Sequence, residues 1–254
     1  MSWTLPVLFF ITAILYAAVG FGGGSTYSAL LVLSGTNYLI LPAIALACNI
    51  VVVSGGVLRF SRAGHLSIQR LAPFVAASIP AAWVGGRMPI SETMFIGLLG
   101  GALLISGLHL LFALRPSKST PNATPQTHWL ISLSFGGGIG LLSGVVGIGG
   151  GIFLAPILYH LRWGSAKQIA GACSLFILLN SLSGLAGQLT KLADLSLLEM
   201  AQPYWVLLVA VFIGGQIGSW LGAGKLSPKW MRLMTGLLIL YVAVRLLLRW
   251  SGSL

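Results

Sequence analysis

Two glycine clusters constrain this chain more than any other feature. Gly20-Phe21-Gly22-Gly23-Gly24 comes early, and Gly147-Ile148-Gly149-Gly150-Gly151 repeats the pattern from residue 147. Each closes the first long apolar segment of its half. Glycine costs a helix about 1 kcal/mol relative to alanine, so three in a row break it. In a bilayer the freed N–H and C=O groups need partners, and such a break survives only inside protein or beside a water-filled cavity. Glycine-interrupted segments at matching places in two halves point to a transporter's substrate site.

The surroundings are those of a membrane. The chain is 57% hydrophobic and 7% charged, against about 25% charged in a soluble domain. Apolar runs long enough to cross a bilayer recur from end to end. Met1-Ser2-Trp3 lacks a basic leader segment, and the first run reads as mature structure. The net charge of +11, from 14 Lys/Arg and three acids, is read as orientation signals flanking spans. It is not read as a nucleic-acid surface, although a positive field also favours anions. Cys48 and Cys173 lie in apolar spans without metal-ligand spacing, as small packing residues. No metal and no cofactor is expected.

The segments fall into two halves. The first has an apolar run 4–19, the break, a short run 25–36, and spans 39–59, 70–88 and 92–114. The second has a run 129–146, the break, a short run 151–161, and spans 165–188, 203–223 and 229–248. Residues 115–128 join them as a polar, proline-rich linker. The expected domains are thus a first repeat 1–114, the linker, and a second repeat 129–254, in one integral membrane unit. Ala82-Trp83-Val84-Gly85-Gly86 and Ser219-Trp220-Leu221-Gly222 hold the same place in each half; Trp83 and Trp220 read as packing or interface residues.

Loop charges set the orientation. Arg59, Arg62 and Arg70 make loop 59–70 cytoplasmic, whereas its counterpart 189–202 carries Lys191 with Asp194 and Glu199. The loop 87–92 carries Arg87 and Glu92, against Lys225, Lys229 and Arg232 in 224–232. Corresponding loops carry opposite signals, so the repeats are expected to be inverted. Ten of the 14 basic residues then lie inside, with both termini outside. Arg245 and Arg249 fit that assignment poorly. Segment 129–161 must start and end on the cytoplasmic side, and its length of about 50 Å falls short of two crossings of a ~30 Å core. It is therefore a bent hairpin. The fold class is all-α and polytopic: two inverted repeats, each a glycine-broken hairpin plus three transmembrane helices.

A helix that starts after a glycine turn offers its first N–H groups, and the positive end of its dipole, to an anion. Gly22, Gly23 and Gly24 allow close approach, and Ser25 and Thr26 add hydroxyls. Gly149, Gly150 and Gly151 do the same opposite, followed by Ile152 and Phe153. Polar residues within spans complete the candidate set: Asn49, Ser174, Asn180 and Gln216. An amide in hydrocarbon needs a partner or a cavity, though helix–helix hydrogen bonding explains each singly as well. No Asp or Glu lies inside a span, and His109 is the one titratable candidate there. An intramembrane enzyme would need a nucleophile–base pair or metal ligands, and none is spaced for it. No catalytic residue is assigned.

The two glycine clusters, with Ala170-Gly171-Ala172-Cys173-Ser174 and the glycine-rich span 214–224, resemble the sulfite exporter TauE/SafE family, also called the toluene sulfonate uptake permease family. The resemblance covers essentially the whole chain. It implies a bacterial inner-membrane carrier of small sulfur-containing anions: sulfite, thiosulfate, sulfoacetate or other organosulfonates. The expected partners are that anion, the lipid bilayer and, as an open alternative to a monomer, a second copy in a homodimer. Alternating access about a fixed midplane anion is the expected mechanism. The competing reading is an anion channel with re-entrant glycine-hinged segments.

Overall fold

A computed structural model describes residues 3–112, 129–191, 199–224 and 228–252. The linker 115–128, Asp194 and Lys225 lie outside the described residues. All regular structure among the described residues is helical. The first half forms α1 (Thr4–Ala18), α2 (Gly24–Leu33), α3 (Leu41–Arg62), α4 (Ile68–Arg87) and α5 (Glu92–Phe112). The second forms α6 (Trp129–Val146), α7 (Gly151–His160), α8 (Ala166–Lys191), a 3-10 turn at Gln202–Tyr204, α9 (Trp205–Gly224) and α10 (Pro228–Ser251).

Six of the described helical stretches are long and apolar enough to cross a membrane: α3, α5, α6, α8, Glu199–Leu221 and Leu233–Ser251. α4 has spanning length, but Gln69, Arg70, Pro73, Pro80 and Arg87 dilute its apolar character. α1, α2 and α7 are shorter apolar helices, as the broken hairpins require. Large apolar side chains such as Leu8, Ile11, Leu108, Ile131, Phe212 and Leu248 face outward. Such an outer surface is stable against lipid, where exposed apolar area carries no hydration penalty.

Glycine sets the helix seams. Without a hydrophobic drive between helices in lipid, close backbone contact supplies the packing energy. α4 and α6 run parallel: a Cβ on Gly136, Gly140 or Gly144 would strike the carbonyls of Phe74, Ser78 and Ala82 in turn. α1 and α9 are also parallel, since Gly214 meets Phe10 and Gly218 meets Ile14. α3 and α8 cross antiparallel, with Leu46 against Gly184 and Gly56 against Ser174. α5 and α10 are antiparallel too, with Gly97 on Trp250 and Gly107 on Leu240.

The two awkward C-terminal arginines divide here. Arg249 donates to the Val32 carbonyl at 2.5 Å and pairs with Glu92 at 3.7 Å. It ties the ends of α2, α5 and α10 together at one end of the bundle. Its placement follows from these partners, so it need not act as an orientation signal. The pair is partly exposed, and charge reversal at Glu92 is expected to change stability by no more than about 1 kcal/mol.

A matched pair of glycines tests the seam. Gly140→Val should overpack the α4–α6 contact and lower detergent thermostability by about 1–3 kcal/mol. Gly138→Val, on the same helix with nothing within 4 Å, should leave it nearly unchanged. Equal losses in a thermal-shift assay would refute the seam.

Candidate functional site

The first break places Gly20 and Gly23 in left-handed backbone, and the second places Gly147, Gly149 and Gly150 there. α1 ends in a Schellman motif: Gly20 takes φ +84°, its N–H bonds the Ala17 carbonyl, and the Phe21 N–H bonds the Tyr16 carbonyl. α2 then starts from Gly23, left-handed at φ +89°. In the second half Gly147 takes φ +79° at the end of α6, with its N–H on the Ser143 carbonyl, and Gly150 takes φ +81° before α7. An L side chain at any of these positions costs about 1–2 kcal/mol in strain. The expectation of two helix breaks with undersized returning helices holds at both clusters.

The breaks meet. A Cβ on Gly24 would lie 2.6 Å from the Gly147 carbonyl oxygen. Gly22 and Gly149 both abut Asn49 of α3 and Ile177 of α8. Asn49 sits between them, fully buried, and its Oδ1 accepts the Gly24 N–H at 2.8 Å. Its Nδ2 is buried without a hydrogen-bond partner and lies beside Gly149. Ser181, also beside Gly149, has a buried hydroxyl with no partner. The Tyr27 hydroxyl, packed against Gly23, is in the same condition. Three donors without partners around one junction are unusual, because each buried orphan costs about 1–3 kcal/mol.

The remaining sequence candidates are placed differently. Ser25 and Thr26 turn towards α1: the Tyr16 hydroxyl lies 2.6 Å from Thr26 Oγ1 and 3.4 Å from Ser25 Oγ. Ser174 donates to the Gly20 and Ala170 carbonyls, 2.9 Å each, and so braces the first break from α8. Asn180 bonds its own helix, Nδ2 to the Phe176 carbonyl at 3.0 Å, and leaves Oδ1 buried without a partner. Gln216 stands apart from the breaks and accepts a hydrogen bond from Arg59 at 2.6 Å. Gly151 lies against Ile177. The polarity expected from Ser25 and Thr26 therefore comes instead from Asn49 and Ser181. Their matching residues differ between halves, since the place opposite Asn49 is held by Ile177.

Sequence reading missed Tyr27, Ser181 and Ile177. Tyr27 carries a usable signal: it lies four residues after the left-handed Gly23, so one helical turn returns its ring to the break. Ser181 gives none, because serines in apolar helices more often bond their own backbone.

A cavity of about 330 Å³ opens beside the junction. Phe21 and Cys173 lie at its wall nearest the breaks, with Ala17, Ala170 and Ala155 around them. Arg59, His65, His109 and Lys167 line it as well, and among the described residues no carboxylate does. It lies at the end where α3 and α7 finish and α4 and α8 begin. The opposite half is tightly closed. There a Cβ on Gly86 would strike the Gly184 carbonyl, one on Gly187 the Trp83 carbonyl, and Gln188 donates to the Gly144 carbonyl at 2.8 Å. At the cavity end α3 packs on α9 with a side chain between them at one point: Gly55 meets the Gln216 amide, whereas Gly215 meets the Val52 Cα at 3.3 Å.

The family model for the sulfite exporter TauE/SafE family matches residues 5–246. The chain belongs to the sulfite exporter TauE/SafE family. A probable membrane transporter protein, y4hK, of Sinorhizobium fredii is 36% identical over 246 residues, covering 96% of this chain and 97% of the relative. A probable membrane transporter protein of Haemophilus influenzae is 37% identical over 70 residues, 28% of this chain and 26% of its own length. No solved structure matches. With six apolar helices of spanning length, this TauE/SafE protein is a multi-pass membrane transporter.

Stability separates the roles of the two polar side chains. Asn49→Ala removes the acceptor of the Gly24 N–H and is expected to lower stability by about 1–3 kcal/mol. Ser181→Ala removes a hydroxyl with no partner and should leave the melting temperature unchanged or slightly raised. A large loss in Ser181→Ala would show that the hydroxyl is bonded within the protein.

Proposed function

We propose that the protein carries a small sulfur-containing anion, such as sulfite, thiosulfate, sulfoacetate or another organosulfonate, across the bacterial inner membrane by alternating access. The observation that carries this reading is the convergence of both glycine breaks on Asn49, where donors without partners stand beside buried glycines that have no side chain to cover their backbone. A sulfite or sulfonate head has three acceptor oxygens and suits Asn49 Nδ2, the Ser181 hydroxyl and main-chain N–H groups. Such donors bind a compact oxyanion without a buried Lys or Arg.

The pairing of helices supports two inverted repeats, 1–114 and 129–254. Corresponding helices α3 and α8, and likewise α5 and α10, pack antiparallel. That relation follows from a two-fold axis in the membrane plane and not from one along its normal. Exchange of the halves also converts the α4–α6 contact into the α9–α1 contact. The unequal seams are the two ends of a rocking motion. The α4–α8 seam is sealed by backbone contact, while the α3–α9 seam is looser and flanks the cavity. With the basic loops cytoplasmic and both termini external, this arrangement opens inward. Burial of both breaks and of Asn49 favours a carrier over an open channel.

The test is counterflow in proteoliposomes with labelled sulfite and sulfoacetate. Saturable uptake that is accelerated by unlabelled anion inside is expected. Ser181→Ala should reduce uptake about tenfold while folding normally, as removal of one directed donor does. Gly23→Val and Gly150→Val should abolish it by straining the left-handed turns. Normal uptake in all three variants would overturn the break site, and non-saturating flux would favour the channel.

A further inference from the structure

The cavity has a chemistry of its own that the junction at Asn49 does not use. Arg59 lies one turn beyond Gly55 on α3, and Gln216 of α9 lies over that glycine. The Gln216 carbonyl oxygen takes one guanidinium N–H at 2.6 Å. An arginine kept by one hydrogen bond presents its other donors in a fixed fork, the geometry that suits a planar or trigonal oxyanion. Lys167 lines the same cavity from the start of α8, with His65 and His109, and among the described residues no carboxylate lines it to neutralise them. Part of the wall is apolar, with Phe60, Leu110 and Phe21. A volume of about 330 Å³ exceeds what a bare oxyanion fills and falls within the range of organic ligand sites.

We infer that this cavity is a second anion station, separate from the glycine breaks, that holds an organic anion with an apolar body. Arg59 takes the charged head, and Gln216 is a positioning residue that steers the guanidinium. Phe60 and Leu110 take the body. Lys167 raises the local anion concentration. The station discriminates against inorganic oxyanions, because a bare sulfite leaves the apolar wall wet and gains nothing from it. Its role as a waiting site on the route to the junction rests on the transport reading above, whereas its binding does not.

The experiment is a scintillation-proximity assay on the purified full-length chain in detergent, with labelled benzenesulfonate as probe and benzoate, methanesulfonate and sulfite as competitors. Benzenesulfonate should bind, benzoate should compete, and sulfite should compete at least about tenfold more weakly. Arg59→Gln should weaken benzenesulfonate about tenfold or more, as loss of a charge-assisted fork does. Gln216→Leu should weaken it less and should be overcome by higher ligand. Phe60→Ala should weaken benzenesulfonate while leaving competition by methanesulfonate unaltered. Asn49→Ala should retain benzenesulfonate binding while losing uptake in proteoliposomes. Wild-type binding in both Arg59→Gln and Phe60→Ala overturns the station, as does sulfite competing as strongly as benzoate. Loss of benzenesulfonate binding in Asn49→Ala also overturns it, by merging the two sites into one. Binding that depends on Arg59 together with normal uptake in Asn49→Ala would leave the station standing and refute the junction as the transport site.

Discussion

A main-chain amide buried away from water must find an acceptor, and this constraint organises the molecule. The two glycine runs interrupt helices inside a protein interior, where each freed N–H would otherwise be an orphan. Asn49 answers it for the first break by accepting the Gly24 N–H. Ser174 answers the matching carbonyl need at Gly20 from the opposite helix. Because α3 and α8 supply these groups, that packed pair of helices is fastened to the breaks. Beside the glycines of the junction, the Nδ2 of Asn49 and the hydroxyls of Ser181 and Tyr27 remain without partners. The protein is stable with these donors idle only because the surrounding seams supply enough packing energy to offset them.

Those seams also explain how one bundle can be tight at one end and open at the other. Where glycine meets backbone, as along α4, α6 and α8, helices approach as closely as their main chains allow. Where a side chain intervenes, as Gln216 does against Gly55 of α3, a gap remains beside Phe60 and Arg59. The two ends therefore pack differently, and the difference resides in a few positions. Asn49 opposite Ile177 is the same kind of inequality at the centre, and it concentrates polar chemistry on one side.

Much of the architecture was legible beforehand. The apolar runs, the polar linker and the repeated GxGGG pattern located every described helix to within a few residues, because bilayer thickness and glycine propensity act locally. The family resemblance rested on motifs, the two glycine clusters with Ala170-Gly171-Ala172-Cys173-Ser174 and the glycine-rich span 214–224. The site was only partly legible. Asn49 was identified, since an amide in an apolar span is conspicuous. Ser25 and Thr26 were named from their nearness in the chain to the glycines, yet their hydroxyls rotate to Tyr16. Arg249 looked misplaced by charge counting, although a carbonyl of α2 and the Glu92 carboxylate hold it.

The amino-acid sequence by itself determined where the helices break and which segments are apolar enough to lie in a membrane. These are properties of a few consecutive residues and of their backbone preferences. Only the tertiary structure decided that both breaks meet at one asparagine, that one seam closes while its counterpart gapes, and which polar groups are left without a partner. Those outcomes depend on which helix faces are brought together across more than a hundred residues of chain, and side-chain hydrogen bonds are settled only once that packing exists.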